Sequence, residues 1–467
     1  VRPMKEIRFG TDGWRAPIAD SFTFENVRRV ADAYAAWLKQ QETANKNMAV
    51  GFDTRFLSDR FAEAFAQQLE GNGVNALLSD RFLPTPALSL YVARNKLAGG
   101  VMFTASHNPY FYNGIKFKGE YGGPMLPRWT HRIETLLAAK VKAANRDDPA
   151  LLAVDMLTPW LNSLKAYTGA EKLKALKGKT IVFDAMHGAG CAVAEQLEEL
   201  TGLNVLKLRD HPDPMFGGVN PEPLMPALQP LADAVVQNKA LCGFATDGDA
   251  DRFGVIDEKG AFIELHDLLP LLFEHLVKNR GGKGRIVRTS SMADTVDKMA
   301  AEHKTEVCEV AVGFKNITEE MLKGDVLIGG EESGGFGFAG HIPERDGVLS
   351  CLLFLELLAE RNVPPSRLVD ELRERFGPFH YRRIDAYGKP DALRSNLQNL
   401  LRQPPDAIAG RKVERIVSKD GIKFYLEDAW MLIRLSDTEP LFRVYCGGGD
   451  EAIVKKLLAA GREMMQG

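Results

Sequence analysis

Three aspartates at alternate positions, Asp247, Asp249 and Asp251, lie in the stretch Thr-Asp-Gly-Asp-Ala-Asp-Arg at 246–252. Carboxylates spaced this way form a hard, oxygen-rich cluster that suits Mg2+, above all where a phosphate supplies a further oxygen. The candidate bearer of that phosphate is Ser106, within Val-Met-Phe-Thr-Ala-Ser-His-Asn-Pro at 101–109. Ser106 sits in no G-x-S-x-G elbow, and no acyl-transfer triad can be assigned around it. The plain alternative for it is a turn serine that caps the next segment. For the aspartates the rival is an EF-hand, with Glu258 at the twelfth position. That loop requires glycine at its sixth position, where this chain has Arg252. The flanks at 241–245 and 253–256 also read as strands rather than helices.

Two further stretches carry polar groups in useful patterns. Gly-Gly-Glu-Glu-Ser-Gly-Gly at 329–335 presents Glu331 and Ser333 on a glycine-rich turn of a size to meet a sugar. The segment 434–443 sets Arg434 and Arg443 about a turn that bears Ser436 and Thr438. Guanidinium forks and hydroxyls match a phosphate dianion through charge-assisted, often bidentate contacts. Alone, the first is an ordinary glycine-rich hairpin and the second a strand–turn–strand with surface arginines. A serine, an acidic loop, a polar loop and an anion clamp in one chain point together to phosphate handling.

Groups at loop ends need strands to hold them. Val101 to Phe103 reads as a buried strand that ends before Pro109. Ser106 therefore stands at the C-terminal end of a strand, where open α/β sheets place their ligands. The same grammar recurs at Met48–Phe52, Thr180–Phe183, Leu241–Ala245, Arg285–Val287 and Val326–Ile328, each strand-like run ending in a polar loop. Residues 24–41 carry helical apolar spacing. Ile7–Phe9 is expected as a short strand leading into a polar turn that ends at Arg15. This alternation predicts α/β layers around mostly parallel sheets. Beyond about 378 the pattern becomes strand-rich, with a last helix near 450–465, as in a smaller α+β domain.

With 467 residues the chain is long enough for several domains. Its 59 Lys and Arg against 62 Asp and Glu give a net charge of -3, which argues against a nucleic-acid binder relying on bulk positive charge. The five cysteines are odd in number and form no CxxC pair, so reduced thiols in a cytoplasmic protein are expected rather than disulfides or zinc. No apolar run approaches the roughly 20 residues that span a bilayer, and no signal peptide is visible. Val1-Arg2-Pro3 ahead of Met4 reads as a remnant of expression and is set aside.

The chain resembles the α-D-phosphohexomutases, the phosphoglucomutases and phosphomannomutases, over essentially its whole length. The resemblance rests on Thr104-Ala-Ser106-His107-Asn-Pro109, Asp247-Gly-Asp249-Ala-Asp251-Arg252, Gly330-Glu331-Glu332-Ser333-Gly-Gly335 and Arg434-x-Ser436-x-Thr438-Glu439-Pro440-x-x-Arg443, in that order. Phe9-Gly-Thr-Asp-Gly-Trp-Arg15 is similar to the family's opening. The resemblance implies three similar mixed-sheet α/β domains plus a C-terminal α+β domain around a central cleft, one motif from each. The expected bounds are 1–150 with the phosphoserine loop, 151–262 with the metal loop, 263–376 with the sugar loop and 377–467 with the phosphate loop. Asp147-Asp148-Pro149 and Phe376-Gly377-Pro378 would be linkers.

It further implies that Ser106 carries a phosphoryl group and, with Asp247, Asp249 and Asp251, holds Mg2+. A hexose 1-phosphate and a hexose 6-phosphate would interconvert through a hexose 1,6-bisphosphate that turns over in the cleft. Arg15, Arg252 and Lys116 would stabilise charge, and Lys116 and His107 are the acid/base candidates. A lysine base needs a lowered pKa, which neighbouring cations would supply. Glu331 and Ser333 would hold sugar hydroxyls. Arg434, Ser436, Thr438 and Arg443 would hold the phosphate that is not moving. Arg345 stands where glucose-type relatives carry lysine, and it is expected to contact phosphate or substrate. Gly335 replaces a histidine found in some relatives.

Gly-Glu-Glu-Ser looks most like the phosphoglucomutases, so glucose phosphate is expected first, mannose phosphate second and glucosamine phosphate third. Other readings are a Mg2+-dependent sugar phosphatase, a non-catalytic phosphosugar sensor and a bisphosphate-forming enzyme on the same fold. The expected protein is a monomer or homodimer that binds a phosphorylated hexose, with neither nucleic acid nor membrane as partner.

Overall fold

A computed structural model describes residues 7–10, 12–42, 45–137, 151–168, 170–436 and 440–466. Four sheets follow one another along the chain. The first runs Trp14–Pro17, Tyr112–Gly119, Gly99–Phe103, Met48–Phe52, Ala76–Ser79 and Leu152–Val154 in spatial order. The strand Gly99–Phe103 lies near its centre and is buried at every residue, as expected of a strand covered on both faces. Ile7–Phe9 is not a strand; the first strand is Trp14–Pro17, which takes Arg15 into register with Gly114. Its neighbour Tyr112–Gly119 runs antiparallel to the strands on both sides, while the other three pairings are parallel, so the sheet is mixed with a parallel majority.

The second sheet holds the acidic loop between two antiparallel strands, Gly243–Thr246 and Phe253–Ile256. The third holds the 331–335 turn between Val326–Gly330 and Phe336–Phe338, also antiparallel. In the fourth, Ala429–Leu435 and Leu441–Gly448 form a hairpin that pairs Arg434 with Arg443. A closing helix, Glu451–Gln466, packs on that sheet. The expected boundary at 150 falls just before Leu152–Val154, a strand that pairs with the first sheet. The Asp147–Pro149 linker lies outside the described residues. The Phe376–Pro378 stretch joins the helix Pro365–Phe376 to the strand His380–Tyr387.

One apolar cluster runs without interruption through the first three domains, from Ala49 to Leu372. The fourth domain has its own core, built around Phe424, Ile433, Val444 and Leu457. It meets the third domain at a seam of both aromatic and polar contacts: Val312 packs against the Trp430, Leu432 and Tyr445 cluster, His266 lies against Phe379 and Tyr381, and Lys423 Nζ donates to Ser290 O at 2.6 Å and to Glu309 Oε2 at 3.0 Å. Tyr425 donates to the same Glu309 oxygen at 2.6 Å. A shared apolar core holds the first three domains together, whereas the fourth adds a core of its own.

Among the described residues, no helix is long and apolar enough to cross a membrane.

Candidate active site

The chain after Phe103 leaves its strand and turns sharply, and Ser106 adopts φ 51° in the left-handed region. That conformation is strained for a residue with a Cβ, so neighbours must hold it. Arg55 supplies the hold. Its guanidinium donates to the carbonyl of Ser106, and to those of Asn108 at 2.7 Å, Pro109 at 3.0 Å and Tyr112 at 3.1 Å. Asp53 balances this guanidinium at 3.3 Å, and the far side of Arg55 stacks 4.7 Å from the Phe216 ring of the second domain. The Ser106 amide donates to Thr104 Oγ1 at 2.8 Å, which closes the turn from the other side.

Held this way, Ser106 Oγ donates to Asp247 Oδ2 at 2.7 Å, 141 residues away in sequence. His107 Nδ1 stands 3.4 Å from the same hydroxyl. Burial and the positive charge of Arg252, Arg15, Lys116 and Arg55 push the His107 pKa well down, so its ring is neutral at pH 7. The acidic loop reaches the serine because Gly248 lacks a Cβ: one built there would lie 2.4 Å from Ser106 O.

Asp247, Asp249 and Asp251 are fully buried, and each offers an oxygen within 4.8 Å of the others. Asp249 Oδ1 and Asp251 Oδ1 are buried without a hydrogen-bond partner. Burial, then Asp249 and Asp251, drive the Asp247 pKa well up against the pull of Arg252 and Lys116. Three converging carboxylates with orphaned oxygens fit a hard divalent cation.

Lys116 lies on the strand Tyr112–Gly119, paired with Met102 across the sheet. Its Nζ contacts Asp251 at 2.6 Å, Asp249 at 2.7 Å and Asp12 at 3.2 Å, so the ammonium's three donors meet three carboxylates. The expected lowering of its pKa is not found. Burial does oppose its charge, but Asp12, Asp249 and Asp251 outweigh burial and raise it. Cations were expected as its neighbours, and the nearest partners are anions.

Arg345 closes the cluster from the third domain. It contacts Asp12 at 2.6 Å, Asp251 at 2.7 Å and Glu331 at 3.0 Å, uniting three domains on one fork. Glu331 in turn accepts from Ser333 Oγ at 2.8 Å. A Cβ at Gly335 would lie 2.2 Å from Arg345 Cδ, so the arginine stem fills the space that a side chain at 335 would need. Arg252 reaches Asp251 at 3.9 Å and Asp247 at 4.0 Å. Arg15 is anchored to Asn108 Oδ1 at 2.9 Å and stands 3.8 Å from Asp12. Backbone links tie the loops together as well: Phe253 N donates to Gly334 O and Gly347 N to Ala250 O, both at 3.2 Å.

Of the residues singled out in sequence, Ser106, His107, Lys116, Arg15, Arg252, Arg345, Glu331, Ser333 and the three aspartates thus form one connected cluster. Arg434 and Arg443 contact acids of their own domain, Asp420 at 3.0 Å and Asp385 at 3.1 Å. Ser436 N donates to Leu441 O at 3.0 Å across the same turn, and Thr438 lies outside the described residues. Sequence reasoning missed Asp12, Arg55 and Thr85 as site residues. Thr85 donates its hydroxyl to Asp249 Oδ2 and its amide to Asp249 O at 2.9 Å. Asp53-Thr54-Arg55 at a strand's C-terminal end was the available signal for Arg55; Thr85, between two prolines, offered none.

Family models of the phosphoglucomutase/phosphomannomutase group match in four consecutive pieces. The alpha/beta/alpha domains I, II and III cover residues 6–144, 158–260 and 266–376, and the C-terminal domain covers 393–464. The chain belongs to the phosphoglucomutase/phosphomannomutase family. It is 30% identical over 432 residues to a phosphoglucosamine mutase of Methanococcus aeolicus, covering 90% of this chain and 92% of that one. It is 28% identical over 460 residues to a phosphoglucomutase/phosphomannomutase of Thermococcus kodakarensis, covering 98% of each. A crystal structure provisionally described as a phosphomannomutase of Thermus thermophilus superposes with a TM-score of 0.87 at 35% identity, covering 100% of both chains. The chain is accordingly a phosphohexomutase-family isomerase, with a four-domain α/β architecture.

Proposed function

We propose that this enzyme interconverts hexose 1-phosphate and hexose 6-phosphate, with glucose preferred and mannose next, through a phosphoserine at 106 and a hexose 1,6-bisphosphate. The observation that carries this reading is the 2.7 Å contact between Ser106 Oγ and Asp247. It joins a candidate phosphoryl carrier to a candidate metal site across a domain boundary. Phosphoryl transfer asks mainly for positioning and charge neutralisation. Arg55 aims the serine. Asp247, Asp249 and Asp251 would hold Mg2+, which when bound supplies positive charge that offsets a phosphate on Ser106.

The free hydroxyl of the sugar would accept the phosphoryl group from Ser106, and after reorientation the other phosphoryl group would return to it. Arg252 and Arg15 would face the spreading charge. Glu331 and Ser333 would meet sugar hydroxyls, with Arg345 fixing Glu331. Arg434, Ser436, Thr438 and Arg443 would hold the stationary phosphate. His107 and Lys116 would serve the proton, His107 from a neutral ring 3.4 Å from the Ser106 hydroxyl and Lys116 from its place beside Asp249 and Asp251.

Glucosamine phosphate is a second reading, favoured by the name of the Methanococcus relative. The sequence preference for glucose rested on Glu332. Its carboxylate accepts from Thr289 at 3.2 Å and from Ser291, which draws it into the third domain. A coupled assay of glucose, mannose and glucosamine 1-phosphates, each with a trace of its bisphosphate, tests the proposal. Catalytic efficiency should be highest for glucose 1-phosphate, and isomer should form faster than inorganic phosphate. Faster phosphate release would mark a phosphatase, and an active Ser106→Ala protein would end the phosphoserine reading.

A further inference from the structure

The clamp arginine Arg434 is held by a residue outside every motif discussed so far. Asp420 lies in the turn between the strands Arg411–Val417 and Ile422–Leu426. Its Oδ1 accepts from Arg434 Nε at 3.0 Å. Its Oδ2 accepts from the backbone amide of Val312, in the third domain, at 2.8 Å. We infer that Asp420 is a positioning residue for the phosphate clamp, aiming Arg434 by anchoring it to the third domain.

Three features support this. The turn is pressed against the strand that carries Arg434: Gly421 has φ +75°, and a Cβ there would lie 2.1 Å from Ile433 O. The pair is well buried, with Arg434 and Asp420 side chains 8% and 13% exposed, so a misaimed guanidinium finds little water to replace its partner. The Val312 loop is itself fixed, because Asn316 Nδ2 donates to Ala311 O at 3.1 Å and to Val312 O at 3.3 Å. A carboxylate on Nε constrains the plane of a guanidinium fork, and two-point phosphate binding depends on that plane. Since the carboxylate also grips the third domain, the clamp is oriented relative to the sugar loop, not merely relative to its own domain.

The inference rests on the reading of 434–443 as the site of the stationary phosphate. Contacts to a phosphate that does not react are equally strong in ground and transition states, so losing them raises KM and spares kcat. In Asp420→Asn, the amide oxygen can still accept from Val312 N, while the amide nitrogen cannot accept from Arg434. KM for glucose 1-phosphate should rise roughly tenfold with kcat within about twofold. Lys419→Ala removes another seam contact, Lys419 Nζ to Glu309 O at 3.0 Å, without touching Arg434, and should leave KM at the wild-type value. Arg434→Ala should raise KM at least as much as Asp420→Asn, and the double variant no further than Arg434→Ala alone.

A wild-type KM in Asp420→Asn beside a raised KM in Arg434→Ala overturns the inference while sparing the clamp. A wild-type KM in Arg434→Ala overturns the clamp reading itself. An equal rise in Lys419→Ala, or additive effects in the double variant, would show that Asp420 acts through the seam alone and also overturns the inference.

Discussion

Replacing Arg55 by alanine removes a guanidinium that donates to four backbone carbonyls of the serine loop, those of Ser106, Asn108, Pro109 and Tyr112. Hydrogen bonds from a charged donor contribute about 1.5–3 kcal/mol each, but four in one loop do not add, because the loop relaxes and water enters. Breaking a buried ion pair from one side costs about 3–5 kcal/mol, and the Arg55 and Asp53 side chains are fully buried. A loss of about 3–5 kcal/mol in urea denaturation is therefore expected. Burial already pushes the Asp53 carboxyl up against the pull of Arg55, so Asp53→Asn in the Arg55→Ala background should restore part of that stability. Turnover should not recover with it. Ser106 at φ 51° would relax, and a displacement of about 1 Å at a reacting atom costs about 10²-fold in rate. Arg55→Lys keeps a cation for Asp53 but cannot reach four carbonyls, so it should fold well and turn over at least about tenfold more slowly. Coupled mutase assays give the rate, and intact-protein mass spectrometry reads any phosphate the protein carries. Folded Arg55→Ala or Arg55→Lys proteins with turnover within threefold of wild type would refute the reasoning.

Asp247→Asn keeps an acceptor for the Asp251 and Arg252 amides and turns its NH2 toward the Ser106 hydroxyl, which can accept from it, while relieving the crowding of three carboxylates. It should stabilise the protein in EDTA by about 1 kcal/mol and abolish any stabilisation by added Mg2+, which melting curves with and without the ion would register. Arg345→Ala leaves Asp12, Asp251 and Glu331 facing one another; a loss of about 3–5 kcal/mol is expected, and unchanged kinetic constants would contradict its role. Gly335→Ala should lower turnover by driving a Cβ into the Arg345 stem, to be read against the same substitution at Gly449, where a Cβ would meet only Pro378 O at 3.7 Å. Lys423 is brought down from 10.5 to about 8 by burial and by Arg288, against the pull of Glu309. The unfolded chain therefore keeps its proton longer, and stability should rise with pH between about 8 and 10.5. Urea midpoints of wild type and Lys423→Met should diverge over that window, and parallel curves would refute it.

Much of the site was legible because the motifs are local. The acidic triplet, the serine turn and the 331–335 turn are each written within seven or nine consecutive residues, and each follows a strand whose apolar run can be read. The exception among the strands is instructive. Ile7–Phe9 has the composition of a strand, but the first pairing partner of Tyr112–Gly119 is Trp14–Pro17, with Trp14 opposite Ile115. A strand of four residues is decided by the edge it docks on, not by its own apolar content.

Residue types and spacing alone determined that a serine, three carboxylates and a set of arginines suited to phosphate stand at strand ends. Only the tertiary structure decided which charges meet. The sequence reading expected cations around Lys116, and folding brought it Asp12, Asp249 and Asp251 from two domains. Thr85 and Asp420 were invisible for the same reason: each acts on a partner in another loop, and both reach across a domain boundary. The sign and size of an electrostatic effect depend on separation and burial, and for groups so far apart in sequence neither is set until the chain has folded.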